Sequence, residues 1–170
     1  MSDTCLSFKN IRHSYFSNNT KVEELFGRLI QKIENRHDDG VWITLVPKKH
    51  IMRRAKELDL LPVSKKKELP LFGLPFSVKD CIDVAGLPTT SACPKYKYSA
   101  HHTNLAVQRA LDAGAILLGK TNMDQFATGV VGVRTPYGVA RNPFNPEYIP
   151  GGSSSGSAVS VSAGLCAFAF

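Results

Sequence analysis

A chain of 170 residues with 43% hydrophobic and 21% charged content has the make-up of one modest folded domain, which sets disorder aside. Lys and Arg outnumber Asp and Glu by 21 to 14, a net charge of +7, and eight of these cations lie between Lys48 and Lys67. No aromatic residues interleave with them and no reader motif accompanies them, so a solvated helix face and loop explain the run and nucleic-acid binding is not expected.

The chain opens without the continuous apolar core of a signal peptide, and no stretch approaches the length of a membrane span, so neither secretion nor membrane insertion is expected. Cys5, Cys81, Cys93 and Cys166 form no CxxC pair and share no ligand spacing with the five histidines. Isolated reduced thiols in a cytoplasmic protein are the reading, with no metal and no cofactor.

Between Lys21 and Asn35, Val22, Leu25, Phe26, Leu29, Ile30 and Ile33 recur at three- and four-residue steps and predict an amphipathic helix. "VWITLV", from Val41 to Val46, predicts a short strand stopped by Pro47. "HIMRRAKEL" reads as a second, more exposed helix, and "LLPVSKKKELP" as a solvent-exposed loop. The composition then changes. "LFGLPFSVKD" predicts a buried strand, "TNLAVQRALDAGA" a helix closed by Gly114, and "AILLGKT" a second buried strand. Strand, helix and strand in that order imply a βαβ crossover, hence an α/β protein with a largely parallel sheet covered by helices. Catalytic groups in such sheets sit at the carboxyl ends of strands. From Gly129 to Pro150, "GVVGVRTPYG" and "NPFNPEYIP" make a long irregular connection of the kind that usually carries function.

Two features carry chemistry: Lys79 at the end of an apolar strand, and the serine cluster "GGSSSGSAVSVSAG" that opens a helix-like run. A lysine withdrawn from water has its ammonium form disfavoured, and the neutral amine is one of the few alternatives to histidine for taking a proton from serine. A Ser/Lys hydrolytic site is chemically sensible. Two plainer readings stay open at this point: Lys79 paired with Asp80 or Asp83, and serines that only cap a helix.

The series "GLPFSVKDCIDVAGLPTTSAC", "AGAILLGKTNMDQFATG", "TPYGVARNPFNP" and "PGGSSSGSAVSVSAG", in that order from about Leu71 to the last residue, resembles the amidase signature family. Within it, "DQFATG", "RTPYG" and "GGSSSGSAV" are more similar to allophanate hydrolases than to the A subunit of glutamyl-tRNA amidotransferase. The resemblance implies the amidase signature fold, a mixed, largely parallel sheet. Residues 1–170 would be the N-terminal part of a single amidase domain, with a helical region over 1–70 and a partial signature core over 71–170, incomplete at the C-terminus.

It also implies roles. Lys79 corresponds to the catalytic lysine and Ser153 to the bridging serine, whose preceding peptide bond, Gly152-Ser153, is cis in relatives. Ala127, Thr128 and Gly129 would line the pocket of a small amide substrate, with Gln125 and Arg134 as neighbours or merely structural residues. Ser154, Ser155 and Ser157 would cap the helix and support the turn. The nucleophilic serine of relatives comes roughly two dozen residues after the bridging one, in a "GTDTAGS"-like segment that supplies oxyanion-hole amides, so here it is expected about seven residues beyond Phe170. The chain is thus expected to be a truncated piece, inactive alone. Cys166, within a small apolar run, is expected to be packing rather than a substitute nucleophile. A homodimer or fusion to urea carboxylase are the partners that the resemblance implies. The alternatives are a general amidase, the A subunit of an amidotransferase and a non-catalytic interaction module.

Overall fold

A computed structural model describes residues 6–36 and 39–170, so Cys5 lies outside the described residues. The chain begins with α1 (Phe8–Ser17) and α2 (Val22–Glu34), followed by β1 (Trp42–Leu45), α3 (Lys48–Asp59) and α4 (Val63–Glu68). Then come β2 (Pro75–Lys79), the short strands β3 (Pro88–Thr89) and β4 (Tyr98–Ser99), α5 (Leu105–Asp112), β5 (Ile116–Thr121), α6 (Ser155–Ser162) and β6 (Phe168–Ala169).

The six apolar positions read from α2 are all buried, and they pack into one cluster with Ile51, Ala55 and Leu58 of α3, with Leu74 just before β2, and with Ile116 and Leu118 of β5. Lys21, at the N-cap of α2, offers no capping side chain. Its place is taken from across the fold: the Asp59 carboxylate at the end of α3 accepts from the backbone N–H groups of Val22 and Glu23, at 2.9 and 3.0 Å. A carboxylate there satisfies two orphan donors and meets the positive end of the helix dipole.

The stretch expected as a loop around Lys65 is instead helix α4. Lysine is a good helix former, and Pro62 before the first turn obstructs nothing because it leads into the helix rather than interrupting it. Lys65 pairs with Glu68 one turn on at 2.8 Å, and Lys66 Nζ donates to the Asp59 carbonyl at 2.7 Å, tying the short helix to α3.

The main sheet runs β1-β5-β2-β6, with β5 and β6 parallel to β2 and β1 antiparallel to β5. It is the expected mixed sheet, built round the β2-α5-β5 crossover. Helix α5 starts on Asn104, whose side chain accepts from Ala106 N–H at 2.9 Å, and ends before Gly114, which at φ +95° takes a conformation that side chains disfavour. Its Val107 and Ala110 cover Phe76, Val78 and Leu117 on one face of the sheet. On the opposite face lie the larger cluster and α6, whose Ser160 Oγ is 2.9 Å from Ser77 Oγ of β2. Successive residues of a strand point to opposite faces, so Lys79, two on from Ser77, projects on the α6 side and Asp80 on the other. That alternation separates the two charges at the end of β2.

Candidate active site at the carboxyl end of the sheet

Strand β2 ends at Lys79, and both of its neighbours grip it there. The Lys79 N–H donates to the Phe170 carbonyl at 2.7 Å and the Asp80 N–H to the Thr121 carbonyl at 3.1 Å. From this fixed strand end Lys79 Nζ donates to Ser153 Oγ at 2.7 Å. Two residues 74 apart in sequence thus meet in a short hydrogen bond.

Ser153 arrives on the irregular 129–150 connection, immediately before α6. The Gly152-Ser153 peptide is cis, as the resemblance implied. It is held from both ends: Gly152 N–H donates to the Val130 carbonyl at 3.0 Å, and the Ser153 carbonyl accepts from Asp124 N–H, also at 3.0 Å. Glycine at 152 is a packing requirement, because a Cβ there would fall on the Asp124 carboxylate and the backbone of Gly132. Gly156 has a similar reason: a Cβ would meet the Val41 carbonyl and Asn122 backbone, so its absence lets the first turn of α6 lie directly on the end of β5. The Gly156 N–H donates to the Asn122 carbonyl at 3.0 Å across that contact.

Neither carboxylate near Lys79 in sequence engages it. Asp80 and Lys120 are both wholly buried and form an ion pair at 3.4 Å. Thr90 donates to Asp80 Oδ2 from its hydroxyl and, at 2.9 Å, from its backbone N–H. Lys120 Nζ donates at 3.1 Å to both the Pro88 carbonyl and Thr89 Oγ1. Burial pushes the Lys120 ammonium below its ordinary pKa, and the Asp80 charge opposes that shift. Asp83 is occupied as well, accepting from Thr89 Oγ1 and the Tyr98 hydroxyl, both at 2.8 Å. The strand-end ion pair entertained for Lys79 is therefore not the arrangement found; a second lysine has taken its acidic neighbour.

The other serines do not act as caps. Ser154 occupies the N-cap position of α6 but makes no side-chain capping bond. Ser155 Oγ is buried with no hydrogen-bond partner among the described residues. Ser157 Oγ lies 2.7 Å from Thr121 Oγ1 and 3.3 Å from the Phe170 carbonyl, so it bolts α6 to the ends of β5 and β6. The first turn of α6 is buried against strand ends, and there the Ser157 hydroxyl finds its partners in neighbouring elements. Cys166 is buried, its Sγ 3.2 Å from Ser160 Oγ, and burial raises its thiol pKa. Packing is what the site gives it.

Ala127 closes a short 3-10 turn over Gln125–Ala127, in which Phe126 and Ala127 take left-handed backbone angles of φ 50° and 58°, and Thr128 and Gly129 follow it. Ala127 and Thr128 are exposed and Gly129 is buried. The segment connects through Val130 to the Gly152 amide, one residue from Ser153. Gln125 and Arg134 brace it: Gln125 Nε2 donates to the Ala92 carbonyl at 3.2 Å, and Gln125 N–H to the Arg134 carbonyl at 2.7 Å.

Two buried residues that the sequence does not single out organise this region. Asn122 Nδ2 donates to the carbonyls of Gly40 and Gly138, at 2.8 and 2.7 Å, while its Oδ1 accepts from Thr135 Oγ1 at 2.6 Å. Asp124 accepts from the backbone amides of Gly132 and Arg134, at 3.0 and 2.8 Å. The signal that could have found them is the polar run "TNMDQ" directly after a buried strand, the position where α/β sheets place their sites. Among the described residues no three His, Cys, Asp or Glu side chains converge as a metal centre would require.

Comparison with known proteins agrees with this architecture. Urea amidolyase of Saccharomyces cerevisiae is 47% identical over 128 residues, 75% of this chain and 7% of its own length. The A subunit of glutamyl-tRNA(Gln) amidotransferase from Prochlorococcus marinus is 36% identical over 165 residues, covering 96% of this chain and 34% of that protein. The solved structure of Kluyveromyces lactis allophanate hydrolase superposes with a TM-score of 0.84 at 41% identity, over 97% of this chain and 27% of that one. The chain therefore spans well under half the length of each of these relatives. The Amidase family model matches residues 24–170, and with the mixed sheet and the strand-end site this shows that the chain belongs to the amidase family.

Proposed function

We propose that this chain supplies the base and the proton relay of an amide hydrolase of the Ser-cisSer-Lys type, acting on allophanate in urea degradation. The observation that carries the proposal is the 2.7 Å contact between Lys79 Nζ and Ser153 Oγ at the end of β2, with no carboxylate on the lysine among the described residues. A serine hydroxyl is a poor nucleophile until a neighbour takes its proton. Lys79 in its amine form draws a proton through Ser153 Oγ from a nucleophilic serine, which attacks the substrate carbonyl. The proton returns by the same route to the departing ammonia, leaving an acyl-enzyme that water hydrolyses. The backbone of Ala127, Thr128 and Gly129 lines the substrate side.

In this reading the nucleophile stands about seven residues past Phe170, with its oxyanion-hole amides. Residues 1–170 are then part of one amidase domain, in a cytoplasmic protein that is a homodimer or fused to urea carboxylase. Allophanate is preferred on the 47% identity to urea amidolyase and the 41% identity to the allophanate hydrolase structure. A glutamine-handling amidotransferase is the second reading, favoured by the longer match to its A subunit, which covers 96% of this chain.

The test is ammonia release from allophanate, malonamate and glutamine by the native polypeptide that carries this sequence, with Lys79→Ala beside it. Allophanate should be turned over fastest and Lys79→Ala should abolish release. Preference for glutamine moves the assignment to the second reading, and an unimpaired Lys79→Ala variant removes the hydrolase mechanism. Ammonia release by isolated residues 1–170 contradicts the expected place of the nucleophile.

A further inference from the structure

The candidate relay consists of two side chains, yet the geometry of one of them is set by a third that touches neither. Asp124 is wholly buried and has no ion-pair partner among the described residues. A buried carboxylate without a cation must have its charge met by hydrogen bonds. Here it is met by backbone alone, Oδ2 accepting from Gly132 N–H and Oδ1 from Arg134 N–H. Those two bonds draw the 124–134 segment into a closed loop.

The same loop holds the Gly152-Ser153 peptide. Its Val130 carbonyl takes the Gly152 N–H, and the Asp124 N–H reaches the Ser153 carbonyl. The carboxylate also fills the space beside residues 129 and 152, where a Cβ on either glycine would strike it. Asp124 thus fixes the peptide that carries Ser153 in three ways: through its own N–H, through the loop its side chain closes, and by direct packing. It makes no contact with Lys79 or with Ser153 Oγ among the hydrogen bonds of the described residues.

We propose that Asp124 is the positioning residue of the relay, its carboxylate holding Ser153 Oγ at hydrogen-bonding distance from Lys79 and coupling the 127–129 segment to that contact. The proposal rests on the proton-relay reading above. It requires that Asp124 act on turnover only through Ser153, whereas a general structural residue would act on any variant of the site.

The experiment is Asp124→Asn in two backgrounds of the native polypeptide, wild type and Ser153→Ala, with kcat and KM measured for each. Asparagine keeps the shape but replaces one acceptor oxygen by an NH2 group that cannot accept from the Gly132 or Arg134 amide. In the wild-type background kcat should fall about 10²-fold, the cost of a misplacement near 1 Å. In the Ser153→Ala background it should fall no further. Equal losses in both backgrounds overturn the proposal. Full activity of Ser153→Ala alone sinks the relay reading itself, a result distinguishable from equal losses. Should Asp124→Asn fail to fold, Arg134→Pro, which deletes the N–H given to Oδ1, should reproduce the same background dependence with a smaller loss, beyond that of Arg134→Ala, which removes only the guanidinium that reaches the Thr128 carbonyl. A crystal structure of Asp124→Asn in the native polypeptide gives an independent readout. Ser153 Oγ should leave hydrogen-bonding range of Lys79 Nζ with the helices unmoved, and an unchanged contact overturns the proposal.

Discussion

The layer formed by α1, α2 and α3 and the carboxyl ends of β2 and β5 are both largely buried, but they are held by opposite means. In the first, Val22, Phe26, Leu29, Ile30, Ala55 and Leu58 bury apolar surface, a non-directional interaction in which any well-shaped neighbour suffices. In the second, Lys120, Asp80, Thr90, Asn122 and Asp124 bury polar groups that each require particular partners. The contrast teaches what each region is for. Apolar packing stabilises at little positional cost, whereas a buried ion pair often contributes no more stability than apolar residues of equal size, so its retention is better explained by the geometry it enforces. The enforced geometry is that of the strand ends carrying Lys79 and facing Ser153.

The sharpest way to break this contrast uses the largest effects. Phe26→Ala removes a fully buried ring and should cost about 3–5 kcal/mol in denaturant unfolding. Lys120→Met should cost a similar ~3–5 kcal/mol, because it leaves the Asp80 charge buried and alone. The two differ in rescue: adding Asp80→Asn to Lys120→Met should recover most of the loss, while no single second truncation near Phe26 should. Equal, additive behaviour in both regions would erase the distinction.

A middle-sized effect lies at the join of α2 and α3. Asp59→Ala strips the donors at the start of α2 of their cap and should destabilise by about 1–2 kcal/mol, with Asp59→Asn intermediate. Smaller still is the stability effect at the candidate site. Ser153→Ala deletes one hydrogen bond to a half-buried lysine and should change unfolding free energy by less than about 1.5 kcal/mol, however large its effect on turnover.

The smallest signal is a pH slope. Burial raises the Cys166 thiol, so above the ordinary thiol range the unfolded chain loses this proton while the native one keeps it. Stability should therefore decline as pH rises through that window and be unaffected by this group below it. Cys166→Ala should flatten the decline, and an unchanged slope would mean the thiol is not shielded as the structure has it. Cys81, which is exposed, should alkylate readily under conditions where Cys166 does not.

These two regions also differ in how far the sequence displays them. The face of α2 is legible because burial there follows the helical period, which spacing along the chain shows directly. Lys79 and Ser153 are legible for another reason, their resemblance to family motifs, and the structure then brings their side chains together. Lys120, Asn122 and Asp124 are less so: their place directly after a buried strand marks the region, but their partners are backbone groups and side chains on other loops and strands, from 8 to 82 positions away, which spacing does not encode. Helix α4 is hidden by composition: a charge run between prolines suggests a loop, yet its lysines reach a glutamate one turn on and the end of α3. The expected capping by Ser154 fails because its backbone, at φ −92° and ψ 42°, lies outside the extended region an N-cap requires, and Ser155 already stands inside the buried first turn that is pressed against β5.

The central claim, that Lys79 and Ser153 act as one proton-transfer unit, is tested most directly by turnover of Lys79→Ala, Ser153→Ala and the double variant in the native polypeptide. Groups that act as a unit lose their effect together, so each single variant should lose nearly as much kcat as the double. Losses that multiply, or a single variant with the wild-type rate, would contradict it.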